Sequence, residues 1–332
     1  MAQGKGMTQA GLDRILGEIG LEGLLETLGQ TLAPTDLQSL LLAVYRIRAA
    51  RQTPARVLEQ YEHNRFVQPA AVDLRARAEV DRLALACADP AFAALDLAPV
   101  CPLGTVSVVG PVDQNSAVST SRNTEVVSDC TNVLALECAV RRRAQRRDPA
   151  TAGEQVRLCT SHRLLRAQYY NRPGMRAHFQ IFALCTAGRA AAGYRFELAA
   201  LLEQITCYLA LLAAVAEIGY QVQEVRVVFT DLPDPAFAER LQEGVITPLT
   251  VRFPNAQVVC TPDQRTVASY YELVRFNIVV HDVADGESEL ADGGFTTWTQ
   301  QLLSDHKERL LISGIATERI CLLPREEAIH HC

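Results

Sequence analysis

The densest run of residues able to do chemistry lies between positions 157 and 180. It reads Arg157-Leu158-Cys159-Thr160-Ser161-His162-Arg163-Leu164-Leu165-Arg166-Ala167-Gln168. After a polar stretch containing Tyr169, Tyr170 and Arg172, it continues Arg176-Ala177-His178-Phe179-Gln180. Arg163, Arg166, Arg172 and Arg176 therefore surround one loop between two strand-like segments. Guanidinium groups recognise phosphate oxygens through bidentate hydrogen bonds. Phe179, at the start of the returning strand, offers a face for stacking. The plainer alternative is a surface hairpin whose arginines are solvated. A second candidate lies near the end of the chain, where Arg319 follows five residues after Gly314. Glycine lets backbone approach a flat ligand, and an arginine just beyond it can lay its guanidinium over an aromatic ring. Upstream, Asp292-Gly293-Gly294-Phe295 reads as a glycine-rich turn.

The elements that must position these residues follow from periodicity and breakers. Residues 8–64 form a small helical module, with Leu12, Ile15, Leu16, Ile19, Leu24, Leu25 and Leu28 at helical spacing. Thr35 and Gln38 suggest a capping box, and Thr53-Pro54 places an N-cap before a proline at the first helical position. From Phe66 the texture changes. Residues 65–69 read as a short strand, 74–88 as a helix, and 106–109 and 117–120 as strands among glycine and proline breakers. Asn132 is expected to cap a helix over 133–147. Strands are expected at 155–161, 178–186, 225–230, 256–260, 276–281 and 310–313, with a long helix over 195–218. Hairpins with irregularly interspersed helices imply an α+β fold, a mixed and mainly antiparallel sheet flanked by helices. The chain divides into the helical module, 1–64, and a core, 65–332.

Composition bounds the function. The 332 residues carry a net charge of −6 and 48% hydrophobic residues, with mean hydropathy near zero, an ordinary globular balance. The negative charge argues against general nucleic-acid binding. The basic run over 141–147 is expected to be a solvated helix end. The apolar stretch over 196–218 contains Glu197, Glu203, Gln204 and Glu217, so a buried or amphipathic helix is expected and no membrane span. No secretory signal is visible, which makes cytoplasm the default. Ten scattered cysteines without a Cys-x-x-Cys pair read as small buried hydrophobes. Asp282, Asp285, Glu287 and Glu289 form an acidic stretch, read as solvated rather than as magnesium ligands.

Several segments, in order, resemble class II aminoacyl-tRNA synthetases. They come nearest the histidyl-tRNA synthetases and the regulatory subunit of ATP phosphoribosyltransferase. His162-Arg163-Leu164-Leu165-Arg166-Ala167-Gln168, then Arg176-x-x-Phe179, resembles motif 2, Phe-Arg-x-Glu-Arg-Pro-Gln followed by Arg-x-x-Phe. The resemblance gives Arg163 to the α-phosphate of ATP, Arg176 to the outer phosphates and Phe179 to adenine stacking. Leu165 stands where the motif has glutamate. Asp129 and Thr131 match the Arg-Pro-(Asp/Glu)-x-Thr segment, whose acidic residue holds the substrate amino group; a helix N-cap is the equal alternative. Arg265 through Tyr270 and Tyr271 are similar to Arg-Gly-Leu-Asp-Tyr-Tyr, in which the arginine assists at the reacting carboxylate. An ordinary helix with an exposed Arg265 is the alternative there. The turn at Asp292, with Gly314 and Arg319, resembles motif 3; it carries Phe295 where that motif has arginine, and Arg319 would cover adenine.

The resemblance implies ATP and Mg2+ as cofactors, a homodimer, and activation of an amino acid or related carboxylate as an adenylate. Transfer would be to a carrier or small molecule. The alternative it implies is a non-catalytic paralogue that regulates a partner enzyme. A tRNA-aminoacylating enzyme is disfavoured, because only thirteen residues follow Arg319, too few for a C-terminal anticodon-binding domain.

Overall fold

The computed structural model describes residues 9–168, 176–230, 232, 234–261, 270–282 and 286–325. Its centre is an eight-stranded sheet. The strands are β1 (Ala93–Ala94), β4 (Val156–Leu165), β5 (His178–Arg189), β6 (Gln223–Thr230), β7 (Gln257–Cys260), β8 (Glu272–Asp282), β9 (Gly286–Thr296) and β10 (Glu308–Ile315). Their order is β1-β4-β5-β10-β9-β8-β6-β7. Only the outer pairs β1/β4 and β6/β7 are parallel. The expected mixed, mainly antiparallel sheet is therefore present. A separate ribbon pairs β2 (Val100–Pro102) with β3 (Thr124–Val126).

Helices cover both faces. On one lie α5 (Leu74–Cys87), α7 (Arg195–Glu217), α8 (Pro235–Leu241), α9 (Thr247–Arg252) and α11 (Thr317–Ile320). They bury Phe182, Phe229, Phe276 and Phe295 against the sheet. On the other lie α6 (Cys130–Gln145) and α10 (Trp298–Leu303), packing Leu134 and Trp298 on Leu158 and Leu310. A strand turns alternate residues to opposite faces, so neighbours such as Leu164 and Leu165 serve different layers. Helix α7 is the one described helix long and apolar enough to cross a membrane, and more than half of it is buried. Its polar breaks tie it to the sheet. The Tyr208 hydroxyl donates to Ser313 (2.8 Å), Ser313 donates to Gln204 Oε1 (2.6 Å), and Gln204 Nε2 donates to Thr186 (2.9 Å).

The amino-terminal helices are α1 (Gln9–Ile19), α2 (Leu24–Glu26), α3 (Pro34–Ala49) and α4 (Pro54–His63), and none of them buries a residue. The expected cap at Thr53 is present, accepting from Arg56 N. The expected box at Thr35 is not, because Pro34 opens α3 behind an Ala33 cap that lends no side chain.

Several local expectations are corrected. Residues 65–69 form turns, and Thr105–Val109 closes into a wide helical turn instead of a strand. Asp129, not Asn132, caps α6. The segment around Asp292 is no turn but the middle of β9. Its exposed Glu287 and Glu289 alternate with inward residues, a half-exposed strand pattern masked by acids and glycines. Arg142, within the basic run, is fully buried, with its Nε and Nη2 on the Glu308 carboxylate at 3.0 and 3.1 Å.

Candidate functional site

The β4/β5 hairpin decides which arginine faces which ligand surface. Arg163 pairs with Gln180 and Leu164 with Phe179. Arg163 and Phe179 therefore point to opposite faces of the sheet. Arg163 turns towards α5 and α11. Its Nη2 lies 2.8 Å from Glu318 Oε2, which also accepts from Gln180 N. Its Nη1 donates to His178 Nδ1 (2.8 Å), and His178 Nε2 then donates to the Gln68 carbonyl (2.6 Å). A cavity of about 410 Å³ lies on this side, walled by Pro69, Leu74, Arg77, Arg163 and His178. Arg176 is exposed near it, its Nη1 3.3 Å from Gln68 Oε1.

The face with Phe179 carries a different constellation. Arg166, just past the end of β4, places its Cζ 5.2 Å from the Phe179 ring centroid. Its Nε donates to the Ser128 carbonyl (2.9 Å), and its Nη2 lies 3.5 Å from Asp129 Oδ2. Asp129 is set by its place at the head of α6. Its Oδ1 accepts from the Thr131 amide (2.9 Å) and hydroxyl (2.7 Å). The cap leaves Oδ2 turned to the open side. Thr131 itself is buried and acts through Asp129. Arg166 was part of the arginine-rich loop in the sequence, yet the period-2 geometry that brings it to Phe179 appears only with the register.

Tyr270 and Tyr271 close the same region. Their rings are 4.6 Å apart, and Tyr270 lies 5.4 Å from Trp298. Tyr271 donates to Asp292 Oδ2 (3.1 Å) and lies flat on β9 because Gly294 has no side chain; a Cβ there would sit 2.6 Å from Tyr271 Cδ1. The expected close approach at a glycine thus involves one of the protein's own rings. Burial first, and then the nearby carboxylates, push both phenols above their ordinary pKa. Burial, followed by the charge of Glu289, also raises the Asp292 carboxyl.

Between these walls is a cleft of about 170 Å³, lined among others by Asp129, Arg166, Gln168, Asn132, Tyr270 and Trp298. It holds opposite charges on one rim and aromatic surface opposite. Further along the same face, β8 presents Arg275 Nε and Asn277 Nδ2, both buried and without a hydrogen-bond partner. These residues pair with Gly294 and Asp292, and Asp292 pairs in turn with Gly314. Two orphaned N–H donors fit an acceptor-rich ligand such as a phosphate or carboxylate. Glu289 and Asp292 flank Arg275 at 3.6 and 4.0 Å and are the carboxylates placed to meet a cation there. Among the described residues no three His, Cys, Asp or Glu side chains converge as a metal site. Arg319 reaches the Glu289 carbonyl (2.7 Å), so the guanidinium over Phe179 is Arg166's. Phe295 is buried on the other face against Phe196. Arg265 lies outside the described residues.

No family model matches the sequence, and no curated protein matches it. The fold is nonetheless shared with solved structures. The apo histidyl-tRNA synthetase of S. aureus superposes with a TM-score of 0.52 at 13% identity, over 75% of this chain and 64% of that one. An ATP phosphoribosyltransferase regulatory subunit/histidyl-tRNA synthetase from Bacillus halodurans gives 0.53 at 12% identity, over 77% and 82%. A histidine–tRNA ligase subunit from Alicyclobacillus acidocaldarius gives 0.54 at 12% identity, over 77% and 95%. The chain has the class II synthetase-like fold. It spans less than two thirds of the S. aureus enzyme.

Proposed function

We propose that this protein binds an amino acid or closely related zwitterion in the Asp129–Arg166 cleft and acts as a non-catalytic synthetase paralogue that regulates a partner enzyme. The observation that carries this reading is the pair itself. Asp129 Oδ2 and Arg166 Nη2 are 3.5 Å apart, too far for a strong hydrogen bond, and both line the cleft. A partly exposed pair of this kind contributes only about 0–1 kcal/mol, so opening it costs little. An entering ammonium takes the Asp129 oxygen that the helix cap leaves open, and the carboxylate takes the Arg166 guanidinium. Both bonds are charge-assisted and therefore stronger than neutral ones. Tyr270 and Trp298 supply the apolar wall for the ligand's side chain. The placement of Arg163 supports the non-catalytic part. The arginine matched to the α-phosphate contact is engaged by Glu318 and His178 on the opposite face from this cleft.

A second reading, ATP-dependent carboxylate activation, draws on the unpartnered Arg275 Nε and Asn277 Nδ2. In it the carboxylate would attack the α-phosphorus of ATP held with Mg2+, and the α–β anhydride would break with pyrophosphate leaving. In that reading Arg166 and Gln168 replace the arginine and glutamate of the Arg-x-Glu pattern. Arg166 orients the carboxylate, while Arg275 and Asn277 donate to the nucleotide's oxygens.

Calorimetric titration with the twenty amino acids, alongside amino-acid-dependent ATP–pyrophosphate exchange, separates the two. Binding of an amino acid without exchange supports the first reading. Exchange overturns it in favour of the second, and absence of both binding and exchange removes the cleft assignment.

A further inference from the structure

The larger cavity, on the α5 face of the sheet, serves neither reading of the cleft. Its volume of about 410 Å³ falls within the range of roughly 300–1,000 Å³ typical of small-ligand sites. Strands β4 and β5 separate it from the Asp129–Arg166 pair, because Arg163 and Phe179 stand on opposite faces.

Its two walls differ in chemistry. One is residues 67–74, which line it with Val67, Pro69, Ala70, Val72 and Leu74. Val67 is 48% exposed and Leu74 68%. Large apolar side chains left open around a concavity suit an apolar occupant. The other wall is polar and held in place. Arg77 Nη1 bonds Asp81, whose Oδ1 accepts from Ser161 (2.8 Å). Ser161 accepts in turn from Gln180 Nε2 (3.0 Å), and the Gln180 amide donates to the same Glu318 oxygen that meets Arg163. Both guanidinium groups thus sit on one connected network, fixed before any ligand arrives. Arg77 is engaged through Nη1 alone and Arg163 through its two Nη atoms. Among the described residues, Arg77 Nε and Nη2 and Arg163 Nε have no partner. Spare guanidinium N–H groups match the oxygens of a carboxylate.

Charge selects the occupant. Arg77, Arg163 and the exposed Arg176 stand against Asp81 and Glu318, three positive charges against two negative. His178 accepts at Nδ1 and donates at Nε2, so its ring adds none. Asp73, between Val72 and Leu74, is spent on the α5 amides of Arg75 and Ala76. One further negative charge restores the balance, and a nearly doubly charged phosphate monoester exceeds it.

We infer that this cavity is a second binding site, which takes a monocarboxylate with an apolar chain. The carboxylate lies on Arg77 and Arg163, and the chain lies along residues 67–74. The site needs nothing from the cleft and stands whether or not the cleft binds an amino acid.

Equilibrium dialysis of the full chain against octanoate tests it, with octylamine and octyl phosphate as contrasts. Octanoate should bind saturably at one site per chain, and octylamine about tenfold more weakly or less. Arg77→Gln removes a guanidinium, and Leu74→Asp sets a carboxylate into the apolar wall. Each should weaken octanoate by about tenfold or more. Leu74 is exposed and opens α5, where an acidic residue suits the helix end, so this variant should fold. Circular dichroism checks both variants. Absence of saturable octanoate binding overturns the inference. So does binding that either substitution leaves unchanged, which would place the chain or its carboxylate elsewhere on the protein. Octylamine binding as tightly as octanoate overturns the role of the arginines. Octyl phosphate binding about tenfold tighter than octanoate overturns the monocarboxylate in favour of an organic phosphate.

Discussion

Asp129 offers Arg166 only one of its two carboxylate oxygens. Oδ1 is held by the Thr131 amide and hydroxyl, while Oδ2 faces Arg166 at 3.5 Å. The helix cap and the proposed ligand group are thus one residue, so the cap does not exclude the ligand contact.

Asp129→Asn and Arg166→Ala should therefore each lower ligand affinity by about 1.5–3 kcal/mol, the worth of a hydrogen bond to a charged group. Asp129→Asn keeps a capping oxygen and should leave stability nearly unchanged. Arg163→Ala provides the contrast. It strands the mostly buried Glu318, so it should cost about 1–3 kcal/mol of stability yet leave affinity within about twofold. Calorimetry and urea denaturation read both quantities. If Arg163→Ala abolishes binding and Arg166→Ala does not, the site lies on the other face.

Gly294→Ala should be destabilising well beyond ordinary propensity. Its Cβ would meet Tyr271 Cδ1 at 2.6 Å and the Val274 carbonyl at 2.7 Å, and backbone cannot yield as a flexible side chain does. The expected cost is about 1–3 kcal/mol, as for other overpacked sites. Displacing Tyr271 would also break its bond to Asp292 and disturb Tyr270 at the cleft, so affinity should fall too. Thermal unfolding within a degree of wild type would show that the ring does not rest on this glycine.

The sheet was legible from the sequence because its central strands, such as 178–189, are apolar on both faces. What stayed hidden has three physical sources. Strand β9 turns Glu287 and Glu289 outward and carries Asp292, Gly293 and Gly294 through its middle, so local propensity argues against a strand that tertiary pairing imposes. The burial of Arg142 depends on Glu308, 166 residues away, and no window of sequence contains both. The choice between Arg163 and Arg166 is a matter of strand register, and one residue of slip exchanges the two faces.

His162 makes stability depend on pH in a stated direction. The ring is 9% exposed, its Nε2 has no partner, and burial holds its pKa below the ordinary value, with Asp96 opposing only in part. The unfolded chain thus binds the proton more readily. Stability should be full above the unfolded value of about 6.5 and should fall as pH drops below it, flattening once the folded ring is protonated. Urea denaturation at neutral and mildly acidic pH should show a shallower decline for His162→Gln than for wild type. Equal declines would assign the acid sensitivity elsewhere.

The Arg142–Glu308 pair should behave as a buried charge that tolerates joint removal better than half removal. Both side chains are fully buried. Arg142 also donates to Gln145 Oε1 (3.0 Å) and to the Glu154 carbonyl (2.6 Å), fastening the carboxyl end of α6 to the start of β10. Arg142→Met leaves a buried carboxylate beside Arg189, which lies 3.8 Å away and is itself partly exposed, so the loss should approach about 3–5 kcal/mol. Arg142→Met with Glu308→Leu removes both charges and should recover part of that loss. The same helix carries Asp129 at its other end. The single variant should therefore also weaken the ligand, and the double variant should regain affinity in step with stability. A single variant that loses stability but binds normally would show that the two ends of α6 are uncoupled.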